Sequence, residues 1–312
     1  MAAPTTIRIA TADPARRGIL LGLSAYMVWG FFPAYFKALA GAAPLEIVAH
    51  RIAWSALLLL LLSLLRGRSQ ALRSAFGQRR VLLTLCGSTL LIATNWLVFI
   101  YAVEGGEVLQ SSLGYFINPL VSILLGFVFL GERLNRPQQV SLLLAAGGVL
   151  YLALQGGEVP WIALILAWSF GLYGLLRKIA QVDALIGLTV ETLLLAPLAT
   201  GYLVWLQSQG ESAFLAGSLR HNLLLPLAGA VTALPLLCFA GAARRLRLAT
   251  VGFLQYITPT LHFVLAVGLF GEPFSAIHLV SFSCIWAGLA IYTADALRQL
   301  GIKRSPGGDA SV

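Results

Sequence analysis

Apolar runs long enough to cross a bilayer recur ten times along this 312-residue chain: 18–37, 46–65, 81–102, 110–130, 138–155, 160–176, 184–206, 222–243, 250–270 and 276–297. A helix rising 1.5 Å per residue needs about 20 such residues to cross a hydrocarbon core about 30 Å thick. The runs do not alternate polar with apolar residues, so they are helices and not barrel strands. Hydrophobic residues make up 59% of the chain and charged ones 11%, against about 25% charged in soluble domains. No water-soluble core could hide so much apolar surface. A soluble globular protein, a disordered chain and a nucleic-acid binder are excluded, despite a net charge of +9. The expected fold is an all-α polytopic membrane protein, with the lipid bilayer as its first partner.

Only Gly156, Gly157, Glu158 and Pro160 separate the fifth and sixth runs, which reads as a tight turn between two helices. The first run is longer than a signal-peptide core of roughly 7–15 residues, and a second run follows at once, so it reads as a span. Orientation follows from the basic residues. With the N-terminus cytoplasmic, 18 of the 21 basic residues fall on inner segments. They cluster at Arg16 and Arg17, between Arg66 and Arg80, at Arg133 and Arg136, at Arg177 and Lys178, between Arg244 and Arg247, and from Arg298 onward. Only Lys37 and Arg220 fall outside, and Arg51 lies within a span. The net charge then describes anchoring to anionic headgroups. Cys86, Cys238 and Cys284 are scattered in apolar runs and suggest neither a disulfide framework nor a metal site.

The chain resembles itself at an offset of 140 residues. Pro119 matches Pro259, Gly131 matches Gly271, Glu132 matches Glu272, Phe99 matches Phe239 and Ala102 matches Ala242. The expected organisation is a cytoplasmic tail over 1–17, five-helix units over 18–155 and 160–297, and a cytoplasmic tail over 298–312. Five is odd, so the second unit would enter the membrane the opposite way round. Inverted repeats of this kind are common in secondary transporters, whose sites lie near the midplane between the halves.

Several stretches carry a family resemblance. In the first half they are Tyr26-x-x-Trp29-Gly30, Pro33-Ala34-Tyr35-Phe36-Lys37, Glu46-Ile47 with His50-Arg51, Asn95-Trp96-Leu97, Ser112 through Leu120, and Gly131-Glu132-Arg133. In the second they are Phe170-x-x-Tyr173-Gly174-Leu175-x-Arg177-Lys178, Glu191-Thr192, Pro235 through Phe239, Arg245 through Leu248, and Phe253 through Thr260. The chain resembles an EamA-domain permease of the drug/metabolite transporter superfamily. More closely it resembles the RarD branch, whose members are called chloramphenicol-sensitivity or chloramphenicol-resistance permeases. The resemblance covers residues 16–297 and implies a ten-helix inner-membrane carrier. It does not name a substrate, since the superfamily moves amino acids, sugars, nucleotide precursors and drugs.

Polar groups inside hydrocarbon are costly and usually face a bundle interior or a water-filled cavity. Tyr115, Asn118 and Ser122 share one helical face, and the offset carries them to Gln255, Thr258 and His262, all polar again. The two stripes are expected to face each other across the repeat axis as a substrate site, or else to glue helices together. Arg51 and Glu191 are also 140 residues apart. At 1.5 Å per residue they lie about 8 Å and about 11 Å from opposite faces, so pairing would need both side chains extended. Arg51 could equally snorkel to headgroups. Glu191 is expected to be a protonatable carboxylate or cation ligand that couples transport, with a structural hydrogen bond that keeps it neutral as the alternative. Trp29, Trp96 and Trp168 sit within spans and are candidates to line a cavity, with helix packing as the alternative. Asn95 and Tyr173, from the matching stretches, complete the candidates. Glu132 and Glu272 read as structural end-caps.

Nucleotide-binding, zinc-protease and Cys/His motifs are missing from the sequence, and no cofactor is expected. Gly22-Leu23-Ser24 faintly resembles an intramembrane serine-protease site, with no histidine placed to activate it. The favoured function is secondary transport, with export expected, of a small organic metabolite or drug. The alternatives are an intramembrane enzyme or lipid-handling protein built on His262 and Glu191, and a non-transporting scaffold. Assembly as a homodimer is left open.

Overall fold

The computed structural model describes residues 14–104, 108–155, 160–216, 218–269 and 276–302. In chain order the helices are α1 (Pro14–Gly30), α2 (Phe32–Ala38), α3 (Pro44–Leu65), α4 (Ser69–Gly77), α5 (Arg79–Glu104), α6 (Val108–Leu130) and α7 (Arg136–Leu154). They continue with α8 (Trp161–Ile179), α9 (Ala184–Ser208), α10 (Leu219–Ala243), α11 (Leu248–Gln255), α12 (Ile257–Gly268) and α13 (Ala276–Ile302). The described residues contain no strand. They provide ten segments long and apolar enough to cross a membrane, which agrees with the ten apolar runs. The fifth and sixth are separate helices, although residues 156–159 of the turn lie outside the described residues, as do Gly271 and Glu272.

Three local features depart from simple spans. The first span starts at Pro14 and breaks between Gly30 and Phe32. Pro33 lacks the N–H that would bond the Trp29 carbonyl, which weakens the helix at this point. The ninth span breaks at Tyr256, where Pro259 likewise deprives the Gln255 carbonyl of its donor. Pro119 by contrast sits inside the continuous helix α6. Between the second and third spans, α4 lies at the basic end of the bundle. It buries Leu72 and Ala75 against Val81, Leu85, Ile186 and Val190.

The helices pack as a bundle in which α3 lies against α9 and α10, α5 against α8 and α9, and α1 against α10 and the α11–α12 span. Helix α6 contacts α8 and α11, and α7 contacts α13. Exchanging each span with the one five places on maps this set of neighbours onto itself. Where α7 meets α13 the backbones approach closely, because the facing residues are small. A Cβ at Gly148 would lie 2.7 Å from the Ser281 carbonyl oxygen, and one at Gly288 would lie 2.6 Å from that of Ser141. The pair is also tied at the basic end, where Asn135 and Gln138 donate to Asp295 at 2.9 and 3.0 Å.

Glu132 joins the two halves. Gly131 ends α6 with φ 62°, a conformation suited to glycine. The next residue, Glu132, then accepts from the backbone N–H groups of Leu248 and Ala249 at 2.6 and 2.9 Å. Its carboxylate thereby caps the N-terminus of α11, where the helix dipole favours negative charge.

Candidate functional site

A cavity of about 280 Å³ lies inside the bundle. Its walls come from α1, α2, α3, α5 and α6 of the first half and from α8, α10, α11 and α12 of the second. The cavity reaches from the membrane middle toward the end opposite the basic one, since Phe36 and Arg51 both lie within about two turns of that end.

The broken first span builds one wall, and α12 holds the break in place. Thr258 Oγ1 donates to the Tyr26 carbonyl at 3.0 Å. His262 Nε2 lies 3.0 Å from the Trp29 carbonyl, the group that Pro33 leaves without a helical donor. A carbonyl only accepts, so Nε2 carries the proton in this bond. Gly30 permits this approach, because a Cβ there would stand 2.3 Å from Leu261 Cδ1. Tyr115 of α6 meets the His262 ring edge-on, with centroids 5.6 Å apart.

Arg51 forms the charged part of the wall. It is 7% exposed and does not snorkel outward. Its Nε donates to Thr232 Oγ1 at 2.9 Å, and its guanidinium carbon lies 5.1 Å from the Trp96 ring centre and 5.7 Å from those of Phe32 and Phe36. Three ring faces around a cation are favourable through their quadrupoles, especially in a desolvated setting. On another wall, Asn95 Nδ2 donates to the Leu166 carbonyl and Ser169 Oγ at 2.9 and 3.0 Å. Asn118 Oδ1 and Gln255 Oε1 are buried with no protein hydrogen-bond partner.

Below the cavity, toward the basic end, lies an aromatic layer. Tyr173 stacks on Phe239 with centroids 5.9 Å apart and planes at 14°, and Tyr26 meets Phe239 edge-on at 6.4 Å. Beneath it sits a polar knot. Glu191 accepts from Ser88 Oγ at 2.5 Å, from Tyr173 Oη at 3.3 Å and from Arg177 Nη1 at 3.4 Å. Glu191 is therefore hydrogen-bonded and ion-paired outside the cavity, the structural alternative, and is not a free group facing it. Arg177 is 0% exposed and cannot meet headgroups, although its neighbours in sequence suggest an anchoring cluster. The space it fills exists because residue 187 is glycine: a Cβ there would lie 2.1 Å from Arg177 Nη1.

Nine of the thirteen sequence candidates line the cavity: Trp29, Arg51, Asn95, Trp96, Tyr115, Asn118, Gln255, Thr258 and His262. Four do not. Trp168 is 41% exposed on the outer surface of the bundle. Ser122 is buried where α6 meets α11, its Cβ 3.4 Å from where a Cβ on Gly252 would lie. Tyr173 and Glu191 belong to the layer and knot below. His262 thus lines the cavity while Glu191 belongs to the knot below it. Arg51 and Glu191 do not pair with each other; each finds a partner on its own side. The sequence reading missed Phe32, Phe36 and Thr232 around Arg51. Phe36 stood within a family-matching stretch, but nothing local tied Thr232 to a residue 181 positions away.

Comparison with known proteins agrees with this architecture. Residues 16–154 match the EamA-like transporter family. The chain is 48% identical over 287 residues to Protein RarD of Salmonella typhi, covering 92% of this chain and 97% of that one. It is 45% identical over 286 residues to Protein RarD of Escherichia coli K12, covering 92% and 97%. A Pseudomonas aeruginosa relative, 34% identical over 288 residues, covering 91% of this chain and 96% of that one, is named chloramphenicol-sensitive protein RarD. A protein of known crystal structure superposes with a TM-score of 0.69 at 18% identity over 90% of this chain and 98% of that one, which shows a shared fold. With near-half identity over almost its whole length and ten membrane-spanning segments, the chain belongs to the EamA-like transporter family as an integral membrane protein of RarD type.

Proposed function

We propose that this protein is a secondary carrier that moves a small organic molecule across the cytoplasmic membrane by alternating access, with both termini cytoplasmic. The observation that carries this reading is the central cavity walled by both halves and flanked by two broken spans. Discontinuous helices at the membrane middle are a recurring feature of transporter sites. The self-mapping neighbour pattern and the 140-residue offset support two units of opposite orientation. Two such units give inward-open and outward-open states of similar energy. The aromatic layer of Tyr26, Tyr173 and Phe239 would then close the cytoplasmic path, with the Arg177–Glu191 knot behind it. Opening that path requires the layer to part, so the knot is a natural pivot.

The test is flux by the purified protein in liposomes. A panel of metabolites and antibiotics, including chloramphenicol because one relative is named for it, is presented with an imposed proton gradient and under exchange conditions. Saturable, protein-dependent uptake or efflux of any member supports the reading. Liposomes no leakier to the whole panel than protein-free ones, with correctly folded protein, refute it and favour the scaffold.

A further inference from the structure

We infer that the cavity is built for a small organic anion, whose carboxylate or equivalent group docks on Arg51. This rests on the carrier reading for its use, and on the cavity alone for its chemistry.

Among the described cavity-lining residues Arg51 is the only formal charge, and none of the ion pairs among the described residues involves it. A guanidinium has five N–H donors, and among the described residues only Nε is engaged, by Thr232 Oγ1. The forked terminal nitrogens are the pair that grips a carboxylate with two parallel bonds. Burying a cation without a counter-charge is expensive, and three aromatic faces offset only part of that cost. Contrast the other buried guanidinium, Arg177, which does have its carboxylate, Glu191, at 3.4 Å. The two arginines differ in one respect that matters here. The one without a carboxylate faces the cavity, and the one with a carboxylate does not.

The remaining lining fits the rest of such a ligand. Trp29, Phe99 and Phe170 offer ring surfaces to an apolar or planar body. Asn118 Oδ1 and Gln255 Oε1 offer acceptors to a hydroxyl or amide donor. Among the described residues that line the cavity there is no Asp or Glu. A volume of about 280 Å³ suits a compact molecule.

The experiment uses full-length protein in nanodiscs of phosphatidylcholine, a lipid without net charge, and follows quenching of tryptophan emission, since Trp29 and Trp96 line the site. The ligands are matched trios on one carbon skeleton: small aryl and alkyl carboxylates, their primary amides, and the corresponding amines. At least one carboxylate should bind ten-fold or more tighter than its amide, with no saturable binding of the amine. Arg51→Gln should erase that preference, and Arg51→Lys should keep its direction with weaker binding. The wild-type trios test the proposal even if Arg51→Gln does not fold. Amides or amines binding as well as carboxylates, a preference that survives in folded Arg51→Gln, or no binding by any member would each overturn it. Flux, measured separately, keeps the two readings apart. Arg51-dependent anion binding without flux leaves the site and removes the carrier. Flux of neutral solutes with no anion preference does the reverse.

Discussion

Gly148 on α7 and Gly288 on α13 stand 140 residues apart and make the same contact with each other's helix. A Cβ on Gly148 would strike the Ser281 carbonyl and one on Gly288 the Ser141 carbonyl, and Ser141 and Ser281 are themselves 140 apart. A contact repeated with its partners exchanged is what a two-fold relation between two similar surfaces produces. The chain thus carries its offset into the packing, at the one helix pair formed by the last span of each half.

That reciprocity sets up the first prediction. Gly148→Val and Gly288→Val should each destabilise the protein by about 1–3 kcal/mol, because either side chain must push the two backbones apart. Once one has separated the helices, the second should cost much less, so the double variant should fall well short of the sum. Thermal unfolding in detergent measures all three. Additive losses would mean that the two contacts are independent.

The second prediction concerns Glu191. A free, protonatable carboxylate would tolerate Glu191→Gln. The ion pair with Arg177 implies the opposite, since the change leaves a fully buried guanidinium with no counter-charge. A loss of about 3–5 kcal/mol is expected. Adding Arg177→Met should recover much of it by removing the stranded charge. Gly187→Ala should mimic the damage by displacing the guanidinium without touching either charge. Stability of Glu191→Gln equal to wild type would mean the pair is not formed.

Third, His262 and Pro33 should be energetically coupled. His262→Phe strands the Trp29 carbonyl and should cost about 1–3 kcal/mol. In a Pro33→Ala background, residue 33 regains an N–H that can reach that carbonyl, so the same change should cost clearly less. A double-mutant cycle on unfolding free energies gives the coupling, expected between about 0.5 and 3 kcal/mol. A coupling of zero would show that the histidine does not answer the proline.

Fourth, topology reporters fused after Gly41 and Gly210 should report the periplasm, and fusions after Ser74 and Leu246 the cytoplasm. The motive is the distribution of arginine and lysine. A reversed signal at a single site would remove a span, and reversal at all four would invert the proposed orientation.

The sequence by itself determined the ten spans and the all-helical class. Those depend on runs of consecutive residues long enough for a bilayer that offers no partner to an open backbone. It also marked the polar positions within the spans, because a polar group in hydrocarbon is conspicuous wherever it ends up. It could not say which way those groups face. Trp29 and Trp168 read alike in their runs, yet one lines the cavity and the other lies on the outer surface. Arg177 reads as a headgroup anchor beside Lys178, but Glu191 and the gap at Gly187 draw it inside. Arg51 reads equally as a snorkelling cation and as a site residue, and Thr232 and three rings hold it at the cavity wall. Span length is a property of neighbours along the chain. Burial, charge pairing and the cavity itself depend on side chains that only helix packing brings together, from positions as far apart as Arg51 and Thr232.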